Sequence, residues 1–227
     1  RGQWFNSTSR YHYLTYSQFL THIRHSEKVL FMRIFLAVLV LIFSFQSWTK
    51  ADDISDFEIE GISIGDSLLD YFPKEVILER MKTDYASKKF SRLDSFKEDD
   101  ANFINYTIYD GMQFHFKTKD KKFIIYSLSA INAYWNNVSE CYITKKEVIE
   151  DLKNLFPNTS YRDEKRRPHD DDPSGKSLIE EFYFDFNNGE LATVSCFDWS
   201  EERGNPDQLR ISLFNKEIYD WLADEAY

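Results

Sequence analysis

The stretch Leu178-Ile179-Glu180-Glu181-Phe182-Tyr183-Phe184-Asp185-Phe186-Asn187-Asn188-Gly189-Glu190-Leu191-Ala192-Thr193-Val194-Ser195-Cys196-Phe197 decides the fold class. Leu178, Glu180, Phe182, Phe184 and Phe186 alternate with Ile179, Glu181, Tyr183 and Asp185, the period of two of an extended chain. Asn188-Gly189 then supplies the positive-φ positions of a tight turn, so Leu191 to Phe197 should return as the partner strand. Working outward, Leu209, Ile211 and Leu213 make a further strand, and Asn215 caps a terminal helix that buries Ile218, Trp221 and Leu222. Towards the N-terminus, Thr144 and Glu147 form a capping pair ahead of Val148, Ile149, Leu152, Leu155 and Phe156, which share one helical face until Pro157. The polar residues Asn158 to Lys176 read as a loop.

The preceding part of the chain repeats this order. Phe57 to Gly65 alternates and stops at glycine, a short strand or extended lead-in. Asp66 and Ser67 cap a helix with Leu68, Leu69, Tyr71 and Phe72 on its apolar face, and Pro73 opens a second helical piece that buries Val76, Ile77, Leu78 and Met81. Lys82 to Asp100 is charged and poorly patterned, as a solvated connection would be. Ile104, Tyr106 and Ile108 lead to Asp110-Gly111, and Met112, Phe114 and Phe116 alternate with Gln113, His115 and Lys117, a second hairpin with His115 on the solvated face. Phe123 to Ile131 is β-branched and aromatic enough for a third strand. Lys74-Glu75-Val76-Ile77 recurs as Lys146-Glu147-Val148-Ile149. Two architectures stay open: a tandem helix plus three-strand repeat with halves 57–135 and 136–227, or one unrepeated sheet. Both are α+β, an antiparallel sheet with helices packed on one side.

Ahead of this domain, Arg33 precedes the apolar run Ile34 to Phe45, and Gln46 to Ala51 ends small and polar, the order of a secretory signal over residues 32–51. Twelve apolar residues span about 18 Å as a helix, short of the ~30 Å hydrocarbon core, so a cleaved signal is preferred over a permanent membrane span. Residues 1–31 read as a disordered, non-native upstream extension, because Met32-Arg33 is itself a normal signal start. The mature domain is then 52–227, one domain by size.

Removing the residues up to Ala51 leaves 22 basic against 37 acidic residues, a net charge of about −15. Such a balance repels phosphate backbones and anionic lipid, which argues against nucleic acid or a membrane surface as partner. Cys141 and Cys196 both fall in the exported part, where they are expected to be joined, tethering the capped helix to the return strand of the second hairpin. The alternative is two buried thiols. No Cys-x-x-Cys spacing or nearby histidine completes a metal set.

The segment Gly61-Ile62-Ser63-Ile64-Gly65-Asp66-Ser67-Leu68-Leu69-Asp70-Tyr71-Phe72, with Tyr134-Trp135, Cys141, Asp185 to Gly189 and Cys196-Phe197-Asp198-Trp199, resembles a group of uncharacterised small exported proteins of marine alphaproteobacteria. The resemblance covers most of Met32 to Tyr227 and implies a signal peptide and a periplasmic address, with no catalytic residues to carry over. More remotely, the Gly-Ile-x-Ile-Gly-x-Ser opening looks like helix-plus-sheet modules of envelope lipoproteins and of β-lactamase-inhibitory protein. The chain departs from the lipoprotein pattern in having no lipid-bearing cysteine after the signal.

Catalytic chemistry has little to work with. After Ala51 only His115 and His169 are available, and neither a nucleophile elbow nor a phosphate-cradling glycine loop occurs. The acidic loop around His169, Arg166 to Gly175, lacks the alternating calcium-loop spacing. No catalytic residue, metal or cofactor is therefore expected. Recognition is better supplied: Tyr134, Trp135 and Trp199 set large aromatics beside polar groups at element ends, where such side chains anchor partners. The reading is a non-enzymatic periplasmic binding or interaction module that uses its open sheet face to hold an envelope protein or small ligand. The alternatives are an envelope-polymer hydrolase, betrayed by a cleft of convergent carboxylates with shifted pKa values, and a small-ligand carrier, betrayed by a concave pocket.

Overall fold

The structure, a computed structural model, describes residues 53–99, 103–135 and 137–226. The expected signal segment and the stretch before it lie outside the described residues. Among the described residues seven strands form one antiparallel sheet: β1 (Phe90–Phe96), β2 (Gly111–Lys117), β3 (Ile125–Tyr134), β4 (Ser160–Pro168), β5 (Leu178–Asp185), β6 (Leu191–Asp198) and β7 (Asp207–Phe214). Their order is β1-β2-β3-β7-β6-β5-β4. Two meanders thus meet where β3 pairs with β7, Ala130 opposite Ile211. The helices are α1 (Lys74–Arg80), α2 (Val138–Leu155) and α3 (Lys216–Asp224). This is the expected α+β class with helices against an antiparallel sheet.

Alternation along the strands explains what each face carries. Leu93, Met112, Phe114, Phe116, Leu128, Ala130, Phe182, Phe184, Val194, Cys196, Ile211 and Leu213 belong to the main core. Ile77 of α1, Cys141, Ile149 and Leu152 of α2, and Ile54, Ile59, Ile62 and Leu68 of the lead-in close over them. Full burial of side chains this size is worth about 1.5–3 kcal/mol each before entropy is set against it. Cys141 and Cys196 are joined, with Cα atoms 6.0 Å apart, so the bridge pins α2 to β6 as expected. Lys145, 2 % exposed, reinforces that seam through Glu180 of β5 at 3.0 Å. The terminal helix α3 starts at Asn215, whose Oδ1 accepts from the Ile218 amide. It packs Ile218 and Trp221 with Phe90 at one end of the opposite face.

Four local expectations need correction. The second helix begins at Val138, and Thr144 lies inside it, accepting a hydrogen bond from the Tyr134 hydroxyl at 3.2 Å. The stripe Cys141, Lys145, Ile149, Leu152 carries the buried face back past the apparent cap. The hairpin at Asp110-Gly111 does not form: Gly111 pairs with Phe96, so β1 lies within the stretch expected as a solvated connection. The amides of Thr107, Ile108 and Tyr109 go instead to one carboxylate oxygen of Glu60, at 2.7–3.2 Å, which takes that run out of any ladder. The polar loop after α2 contains β4, whose charged side chains suit an unprotected sheet edge and pair with β5, Arg162 with Asp185 and Arg167 with Glu181. Finally, Asp66 and Ser67 open only a single 3-10 turn, Leu68–Asp70, and Leu78 of α1 is exposed.

A polar groove across the open sheet face

On the face opposite α1 and α2, the registered row Gln113, Ser129, Ser212, Thr193 and Tyr183 crosses five strands. Small hydroxyl side chains occupy its centre, while longer ones stand on the strands to either side. Beside this row, where β3 and β7 present Ile131, Ala133, Gln208 and Arg210, lies a concavity of about 940 Å³, at the upper end of the ~300–1,000 Å³ typical of ligand pockets. Its lining includes Arg92, Asp94, Gln113, Arg210, Phe197 and Trp199, with Trp135 at the rim.

A polar chain runs along the floor. Lys82 Nζ donates to Asp94 Oδ2 at 2.8 Å, and Gln113 Nε2 donates to Asp94 Oδ1 at 2.8 Å. Arg92 ion-pairs with both Asp94 and Asp84 at 3.3 Å. Burial pushes the Asp94 carboxyl upward, but Lys82, Arg92 and Gln113 together hold it below the usual range. Arg210 ends the chain with a long contact to Gln113 Oε1, 3.5 Å. Its guanidinium lies 4.8 Å over the Phe197 ring, and it has no carboxylate within ion-pair distance among the described residues. Its Nε is shielded from water without a hydrogen-bond partner. Burial pushes this group down to about 10, Asp94 opposing and Arg92 assisting, so it stays a cation at neutral pH.

An aromatic wall stands beside it. Phe197 and Trp199 stack with centroids 5.7 Å apart at 17°, and His169 packs on Trp199 at 4.6 Å. The Asp171 amide donates to His169 Nδ1 at 3.0 Å, which places the ring proton on Nε2. Burial lowers the His169 pKa, so this ring is neutral at pH 7. The Trp199 indole N–H is also buried without a partner.

The three aromatics singled out in the sequence divide. Trp135, 70 % exposed, and Trp199 both line the groove. Tyr134 alternates to the helix side, packs on the core and donates to Thr144, which removes it from this contact surface. His115 is the clearest correction to the sequence reading. It is 4 % exposed, with Nε2 2.8 Å from the Tyr85 hydroxyl and Nδ1 2.8 Å from Ser127 Oγ. Burial, helped by the charge of Arg92, pushes its pKa down to about 3. In the acidic loop, Asp172 turns inward and accepts from Ser174 and Ser177 amides at 3.0 and 2.9 Å, so it closes its own loop. Arg92, Asp94, Gln113 and Arg210 were not singled out in the sequence. Their signal was strand phase: Arg210 sits between Leu209 and Ile211, so it must share a face with Gln208 and Ser212.

No protein-family model matches the chain, and no match was found among curated proteins or among solved structures.

Proposed function

We propose that the domain is a non-enzymatic binding module that holds a small organic ligand in the groove of its open sheet face. The observation that carries this reading is the concavity itself, lined by the stacked Phe197 and Trp199 and by the fixed polar groups Arg92, Asp94 and Gln113. Such a mixture, a mostly planar apolar wall with a few oriented polar groups, is what fixes a ligand's pose. A glycosidase-type hydrolysis uses one carboxyl held protonated as general acid; Asp94 is instead held ionised by its neighbours. The disulfide between α2 and β6 supports an oxidising, exported setting.

The test is a thermal-shift screen of sugars, amino acids and organic acids against the protein and an Ala133→Trp variant that fills the groove. A compound that raises Tm in the first and not in the second supports the reading. Compounds that stabilise both equally, or none that stabilises the first, oppose it.

A further inference from the structure

We infer that the groove recognises a carboxylate-bearing ligand, whose carboxylate pairs with Arg210 while a ring face lies on the Phe197–Trp199 wall; this rests on the binding-module reading above. A guanidinium presents five donors in a planar fork suited to a carboxylate. Arg210 spends one of them on a 3.5 Å contact with Gln113 and none on an acid. The second arginine lining this groove, Arg92, has its counter-ions: it holds Asp84 and Asp94. A cation sunk beside aromatic rings, with Asp94 near but no acid directly paired to it, is costly to fold around, and an unsatisfied buried donor calls for an explanation. A ligand carboxylate supplies the missing partner.

Its position is prepared. Gln113 is locked by its amide to Asp94, so its oxygen faces Arg210 Nη1 at 3.5 Å. The Phe197 ring lies against the same guanidinium, 4.8 Å from its carbon. The chain as a whole is strongly acidic, so long-range attraction does not bring an anion here; recognition must come from the short-range fork and the ring stack. Two sources share this chemistry, an acidic sugar and an aromatic carboxylic acid, since both join a ring face to a carboxylate. The volume admits either.

Matched pairs of probes test it by tryptophan fluorescence and calorimetry: trigalacturonic acid against its methyl ester, and indole-3-acetate against indole-3-acetamide. The acid of at least one pair should bind roughly tenfold or more tightly than its neutral mate, the scale of one charged hydrogen-bonded contact. Which pair responds identifies the source. Arg210→Gln should abolish that preference by weakening the acid and leaving the neutral probe unchanged, and Arg210→Lys should retain part of it. If neutral and acidic members bind alike, the carboxylate assignment is wrong while the binding groove stands. If no probe binds but other compounds from the screen bind with no dependence on Arg210, the assignment again fails alone. If nothing binds and the Ala133→Trp variant behaves like the original protein, both readings fall. Should Arg210→Gln not fold, the acid-to-neutral ratio in the unaltered protein decides.

Discussion

The two faces of the sheet are built to opposite rules. On the side of α2 every strand but the edge strand β4 offers Phe, Leu, Ile or Val, and the helix answers with Ile149, Leu152 and a disulfide. On the other side the same strands offer Ser127, Ser129, Ser195, Ser212 and Thr193, with His115 and Arg210 set among them. These polar residues are largely screened from water and yet, among the described residues, no helix covers them apart from α3 at one end. Hydroxyl-for-alkyl exchange on a sheet face forfeits transfer free energy at each position, so the second face is poor at holding the fold. A chain that needed only stability would have closed it with a further helix. The first face therefore stabilises, and the second, shaped and polar, is the one on which the proposed ligand contact rests.

Substitutions on the helix side should have the largest effects. Phe156, fully buried at the end of α2, meets Phe57, Phe184 and Phe186 with centroids 5.0–5.8 Å apart. Phe156→Ala should lower unfolding free energy by about 3–5 kcal/mol in urea titrations. Next comes the seam. Removing the bridge by Cys141→Ala with Cys196→Ala should cost roughly 2–4 kcal/mol, with a comparable loss when the native protein is reduced. A change under about 0.5 kcal/mol in either variant would mean that the helix layer holds the sheet less than its burial implies.

The same contrast explains what could be read beforehand. Apolar alternation marks the helix-covered face, so β5, β6, β7, α3 and the Cys141–Cys196 tether were legible, and Asn188-Gly189 set the one register a turn specifies, with Gly189 at φ 85°. Edges and the polar face carry no such mark. Arg162, Glu164 and Arg167 form a strand because β5 needs a partner, though by composition they describe a loop. Phe90 to Phe96 was hidden because charges at Arg92 and Asp94 fall between core residues, and pattern reading takes a charge as exposure. The groove shares that blindness: Trp135 and Trp199 stood out by size, whereas Arg210 and Gln113 matter only through a register 97 residues apart.

The buried histidine gives a pH test that separates the faces. His115 has a folded pKa of about 3 against 6.5 for the unperturbed ring. The unfolded chain takes up a proton as pH falls below 6.5 while the folded chain does not, so stability is complete above that value and declines toward 3. Between pH 6 and 5 the decline should approach 1.4 kcal/mol per unit. His115→Gln should flatten most of that slope while lowering stability at pH 7 by about 1–3 kcal/mol, because Tyr85 and Ser127 lose part of their bonding. His169, also lowered but partly open to solvent, should contribute a smaller share, so His169→Gln should leave most of the slope in place. An unchanged slope in His115→Gln would show that the ring is not what the acid limb titrates.

The smallest stability effect belongs to Trp135. Its ring is 70 % exposed at the groove rim, with the neighbouring Ala133 amide already satisfied by Asp110 at 2.9 Å. Truncating it removes little buried area and frees no polar group, so Trp135→Ala should stay within about 0.5 kcal/mol of the original in urea. On the helix side, loss of an aromatic of similar size should cost several times more, which is the contrast in its sharpest form. The same variant should weaken groove ligands severalfold, because a rim aromatic with no structural duty has only the ligand to contact. Near-native stability together with unaltered ligand affinity would move the contact surface inward to Phe197 and Trp199, whose stacked rings would then carry the apolar part of recognition alone.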